Sequence, residues 1–435
     1  MTPDQSSVLS LRSSVFGLQS AAVPILADRH FPVRPDLDQL RHQAKDLLRA
    51  IRRGDADAVG TLSRHTTGVT PETAQLHDAQ LALARSYGLP SWTRLVLACR
   101  MTDAIWRDDR LAVADLIKRH PALLTEDARG VKGNWGPPMS YAANLGRDEI
   151  VTLLRDQGAS DLEFALDRAT LQGQIGTARH LMALGATPPR DAAMGPCETL
   201  EPSGLALLVE LGVPLTDAHG DRLAPVGMVL ETYGRQPQGK HECLEIFAAN
   251  GIELPDTPPM ALHRGRIDLL EAHLVRDPAL FERTFAHSDI YPLTLGCHAD
   301  PRLALHGTPL DGTTLLHMAV DYDEVAIIRW MLERGADVNV RAAVDADGFG
   351  GHTAFFGCVV SQPFRVRARR DDAVARLLLD AGADLTVRAS LRKELRFVDD
   401  ETLHEYRNVT PLEWGEQFHD QDWVSTPVMA LLRAR

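Results

Sequence analysis

A register that returns several times along the C-terminal half constrains this chain most, because a fixed internal period dictates an architecture before any single motif is considered. Its clearest occurrence runs from Leu310 to Asn339. Asp311-Gly312-Thr313-Thr314-Leu315-Leu316-His317-Met318-Ala319 opens it, and Val325, Ile327, Ile328, Met331 and Leu332 follow at helical spacing. Gly335-Ala336-Asp337-Val338-Asn339 closes it. The register recurs at Thr353-Ala354-Phe355-Phe356, closed by Gly382-Ala383-Asp384, and opens again at Thr410-Pro411-Leu412-Glu413. Gly335 and Gly382 stand 47 positions apart. The excess over a period of about 33 falls outside the paired helices, as insertions in stacked repeats do.

This unit resembles the ankyrin repeat. In that pattern a Thr caps the first helix, the Leu and Ala face the neighbouring unit, and a closing Gly supplies the left-handed conformation that stops the second helix. Upstream, Pro137-Pro138-Met139-Ser140-Tyr141-Ala142-Ala143-Asn144-Leu145-Gly146, then Ile150, Val151, Leu153, Leu154 and Gly158-Ala159, fit the same template. Gly158, Gly185 and Gly212 follow at intervals of 27, a period that lacks the connecting hairpins. Leu244, Ile246 and Phe247 before Gly251 extend the series. Ile117 to Leu124 and Leu274 to Phe281 echo one another, each a helix end stopped by proline. The expected fold is therefore all-α, a solenoid of about nine helix pairs between Thr102 and Arg435, several of them degenerate.

Leu37 to Arg52 and Ala74 to Tyr87 carry helical apolar spacing, and they suit the cap that a first repeat needs to cover its apolar side. Within it, Asp78-Ala79-Gln80-Leu81 and Ala84-Arg85-Ser86-Tyr87-Gly88-Leu89-Pro90-Ser91-Trp92 are similar to the leading segment of a group of bacterial ankyrin-repeat proteins, a resemblance extending from Asp36 to the C-terminus. The domain organisation expected is a disordered leader or misassigned start over 1–34, a helical cap over 35–100, degenerate repeats over 101–285, and regular repeats with inserted fingers over 286–435. The leader has no basic n-region, and its apolar stretch is too short for a secretory signal.

A formal charge of −13 opposes broad phosphate-backbone binding and favours a partner with a basic face. Five scattered cysteines without a C-x-x-C pair fit a reducing compartment, so a cytoplasmic location is expected. No apolar run approaches the roughly 18 residues that span a bilayer.

Among candidate chemical residues, His317 occupies the His of the repeat signature and reads as a structural link between units. His263, His273, His287, His298, His306 and His317 cluster along the sequence, yet no two have the spacing that puts a chelating pair on one helical face. Neither a metal nor a cofactor is expected. Asp345-Ala346-Asp347-Gly348-Phe349-Gly350-Gly351-His352 resembles a calcium loop only in part, because Phe349 and Phe356 stand where an oxygen ligand and the bidentate Glu belong. It reads as a lengthened hairpin tip with Phe349 projecting. Two fingers interrupt the repeats, Pro363 to Arg370 with Arg365, Arg367, Arg369 and Arg370, and Leu391 to Asp400. Guanidinium forks in the first suit an anionic contact.

Without a P-loop, a nucleophile elbow or a paired zinc motif, no catalytic signature is present. The function expected is a non-catalytic module holding a partner protein on the concave ankyrin surface. By register its contact residues are Thr313, Asp321 and Tyr322, then His352, Val360 and Ser361, with Asn144 and Leu145 in the earlier unit, joined by Phe349 at the glycine-rich tip and the four finger arginines. The alternative is an enzyme or a ligand- or metal-binding protein with a site near the irregular His-rich stretch 243–317.

Overall fold

The structure, a computed structural model, describes residues 29–361, 371–396, 398 and 400–434. The finger arginines Arg365, Arg367, Arg369 and Arg370 lie outside the described residues, as does most of the 1–34 segment. The chain divides into two compact units, Met1–Pro189 and Arg190–Arg435.

The first unit begins with helices Leu37–Arg52, Ala56–His65, Leu76–Ser86 and Trp92–Trp106. Asp36, Asp55 and Ser91 cap three of them by accepting from backbone N–H groups that the first helical turn leaves unpaired. Ile51, Leu62, Ala79 and Ala82 pack as one apolar group, and Leu40, Ala44, Leu83, Leu95 and Cys99 as another. Phe31 joins the second group, and the Tyr141 hydroxyl donates to the Val33 carbonyl at 2.8 Å. Packed chain thus starts before Asp36. Helices Pro138–Asn144 and Asp148–Asp156, then Leu162–Leu171 and Ile175–Ala183, continue in pairs.

The second unit carries pairs Met194–Thr199 and Pro202–Glu210, Ala224–Glu231 and Pro237–Ala249, and Pro258–His263 and Ile267–Arg276. After an irregular stretch come Leu315–Asp321 with Val325–Glu333, Phe355–Val359 with Ala373–Asp380, and Pro411–Gln417 with Thr426–Arg433. One extensive apolar core runs through it from Ala192 to Leu432. The division at 189/190 falls inside the segment expected to hold degenerate repeats, and within the second unit side chains from 235–241 are tied to 321–324.

The fold is mostly helical rather than all-α. Leu391 to Lys393 of the second finger lie in an antiparallel hairpin, β1 (Ala389–Lys393) and β2 (His404–Val409), with a register irregularity between Ala389 and Leu391. Alternate residues of β1, Ala389, Leu391 and Lys393, are buried, so the strand lays one face on the core. Gly350 docks its N–H on the Ser390 carbonyl at 2.7 Å. It sits at φ +117°, where a Cβ would collide with the Ala343 carbonyl, so glycine is required there. No helix among the described residues is long and apolar enough to cross a membrane.

Candidate functional site

The helix Leu315–Asp321 carries the repeat signature, and its N-terminus is closed reciprocally. Thr314 donates its hydroxyl to His317 Nδ1 at 2.9 Å, while His317 Nε2 donates to the His352 carbonyl at 3.0 Å in the next unit. Both nitrogens are therefore used in packing. Burial holds the imidazole down to about 4, against the small opposing effect of its bond to the His352 carbonyl. His317→Ala should lower stability by about 1–3 kcal/mol in urea titrations, since the partner groups stay buried without it. Because the unfolded chain binds a proton below its ordinary value of 6.5 and the folded imidazole does not until about 4, this histidine's contribution fades as pH falls through that window. A shallower acid loss in the variant is the accompanying result.

The positions assigned to partner contact are placed differently from expectation. Asp321 and Tyr322, expected on the exposed end of the first helix, are each 3% exposed. Arg235, from the connection before helix Pro237–Ala249, donates to Asp321 Oδ2 at 2.8 Å and to the Asp321 carbonyl at 2.9 Å. Further bonds reach the Thr232 and Leu305 carbonyls. Burial opposes the guanidinium charge, but Asp321 and the neighbouring tyrosines overcome it and raise the group above its ordinary value. Tyr322 lies beneath two cations, with Arg235 at 4.8 Å and Lys240 at 3.5 Å from its ring centre, and its hydroxyl bonds to that of Tyr291. His263 packs edge-on to the same ring at 5.0 Å and donates to the Ile290 carbonyl. His241 donates to Glu324 at 2.7 Å.

The same device occurs at the matching repeat position of the first unit. Asn144 accepts from Arg168 Nε at 3.1 Å, and both are buried. A polar residue at the end of a repeat's first helix thus anchors an arginine from another element. Sequence register alone marks this position as variable and exposed, because the arginine that covers Asp321 stands 86 residues away.

The other assigned contacts are also enclosed. Thr313 is fully buried and turns its hydroxyl back to the Leu310 carbonyl at 2.6 Å. His352, 1% exposed, donates through Nε2 to the Pro309 carbonyl at 3.1 Å, while Val360 accepts from Thr308 and pairs with Val424. Ser361 is half-buried and bonds the Trp423 carbonyl. Phe349, expected to project, is buried under Arg392 and Arg407 at 4.8 and 4.3 Å. Hairpin β1–β2 folds over the tip and supplies that cover. Its Arg392 also bridges Asp345 at 2.7 Å and Asp347 at 3.0 Å, so the acids of the calcium-like loop serve an arginine.

Among the six clustered histidines, His298 pairs with Glu231, His273 with Asp256, and His287 donates to the His298 carbonyl. Among the described residues, no three His, Cys, Asp or Glu side chains converge as metal ligands.

A cleft of about 570 Å³ opens between the irregular segment Asp300–His306, the tips Pro309–Gly312 and Ala343–Gly350, and the hairpin at Leu391–Glu394 and Leu403. Val344 and Leu403 edge it and are 61% and 51% exposed. Inside stand His306, His352 and Lys393, all buried. The register did not find this site, because the repeat's own tip supplies only part of the wall and the irregular segment and the hairpin supply the rest.

The ankyrin repeat family model matches residues 311–343. Among solved structures, the chain is similar to the human ASB11 ankyrin repeat domain at 17% identity, over 68% of this chain and 97% of that one, with a TM-score of 0.24. No curated protein matches the sequence.

Proposed function

We propose that the chain is a protein-binding module whose partner docks on the rim formed by the ankyrin hairpin tip and the β1–β2 finger. An ankyrin repeat is generally a protein interaction module, and the observation carrying this reading is the pair Val344 and Leu403. Two large apolar side chains held in water on loops that edge one cleft form a surface suited to burial against a partner. Asp321 and Tyr322 are enclosed by the protein's own side chains, which supports a reading in which the loops carry recognition. A net charge of −13 favours a partner with a basic face through electrostatic complementarity. Five free, buried cysteines suit a reducing compartment such as the cytoplasm.

The test is affinity capture of the partner, followed by calorimetric titration against wild type and a Val344→Ser, Leu403→Ser double variant. Removing the two apolar side chains without adding charge should cost about 2 kcal/mol or more of affinity, the scale of an interface hot spot. Melting should stay nearly unchanged, since exposed substitutions usually move stability by about 0.5 kcal/mol or less. Wild-type affinity in the folded double variant would show that the rim is not the docking surface.

A further inference from the structure

Lys393 is 5% exposed, yet it lines the cleft from the buried face of β1. Its ammonium donates to the Ala304 carbonyl at 3.2 Å. Among the described residues that is its one hydrogen bond, which leaves two of its three N–H donors unfilled. A buried cation in that state is unfavourable for folding, and a polar group kept at such cost requires a reason beyond packing. The wall beside it is similarly unfilled, because Nδ1 of His306 and Nδ1 of His352 have no partner there.

The arginines around the cleft and three of its carboxylates are engaged. Arg302 holds Asp300 at 2.6 Å, and Arg392 holds Asp345 and Asp347. Asp311 accepts from the His287 N–H at 2.7 Å. His306 and His352 stay neutral, since burial pushes the first well below its ordinary value and the second down to about 3. Lys393 is therefore the cation the cleft has to offer, with Asp321 and Glu394 as the countercharges that act on it. The walls next to it are apolar, from Pro309, Leu310, Phe349 and Leu391.

We propose that this cleft binds a small organic carboxylate, its apolar body against Leu310, Phe349 and Leu391 and its anionic end on the Lys393 ammonium. The volume lies within the range of small-molecule sites, and mostly apolar walls with a few placed polar groups are their usual make-up. One charge and two acceptor oxygens match one ammonium with two free donors. A phosphate dianion would leave charge uncompensated beside Glu394 and Asp311. The site lies beneath the rim assigned to a protein partner and stands independently of that assignment, because Lys393 contributes nothing to the rim.

Octanoate and 3-phenylpropionate serve as probes, titrated calorimetrically into the full chain, with octanamide, 3-phenylpropionamide and octylamine as controls. The carboxylates should bind at least tenfold more tightly than the amides or the amine. Burial lowers the Lys393 ammonium from 10.5 to about 8, so affinity should fall about tenfold per pH unit above that value. Lys393→Met should lose the preference for carboxylates and the pH dependence together. Ala343→Trp, which fills the cleft from an exposed position while leaving Lys393 in place, should abolish binding of both probes. The proposal is overturned if no carboxylate binds, if amides or octylamine bind as well, or if Lys393→Met retains wild-type affinity. Each of these outcomes leaves capture of the protein partner, and its dependence on Val344 and Leu403, unaffected.

Discussion

Asp321→Ala is expected to destabilise the protein by about 3–5 kcal/mol, the cost of removing one partner from a buried ion pair. The side chains of Arg235 and Asp321 are 4% and 2% exposed, and their contact is 2.8 Å. Removing the carboxylate leaves the guanidinium to backbone carbonyls alone, in an interior that also encloses Lys240. Lys240 stands over the Tyr322 ring, and burial pushes its ammonium well below the ordinary value. Urea titration at neutral pH is the measurement. A change within about 0.5 kcal/mol, typical of a surface substitution, would mean that Asp321 faces solvent and the assigned ion pair is wrong.

The second large effect has the opposite sign. Lys393→Met should stabilise the empty protein by about 3 kcal/mol at pH 7, because a shift from 10.5 to about 8 represents roughly 1.4 kcal/mol per pH unit held against the charged form. The pH dependence follows from proton uptake. Between about 8 and 10.5 the unfolded chain keeps the lysine proton that the folded chain has released, so wild-type stability gains from this group as pH rises across that window. Below it both states hold the proton and the full penalty remains. Parallel denaturation series for wild type and variant isolate this group from other titrations. Equal stability at pH 7 and parallel curves to pH 10.5 would show that the amine reaches water and carries no penalty. A native residue that opposes folding this strongly is the behaviour expected of a binding group.

The repeat unit was legible because its determinants are local. Thr314 capping the helix, His317 bonding back to it, the apolar spacing of Ile327, Ile328 and Met331, and the turn at Gly335 all act within a few residues of one another. Register on its own identified which side chains pack on a neighbouring helix. It failed where distant chain covers a position that the period leaves open. Asp321 and Tyr322 depend on Arg235, Lys240 and Tyr291, and Phe349 depends on Arg392 and Arg407. The hairpin carried a weaker signal in the alternation of Ala389, Leu391 and Lys393, where a lysine on the buried face obscured the pattern.

The sequence by itself determined helix pairing, the capped helix starts, and the ankyrin unit at 311–343, since backbone hydrogen bonding and apolar periodicity are short-range properties of consecutive residues. Tertiary structure alone decided which polar residues are interior and where a cleft opens. The partners of Asp321 and the walls around Lys393 come from segments tens of residues apart, and no local pattern encodes the burial of a charge that a remote side chain compensates.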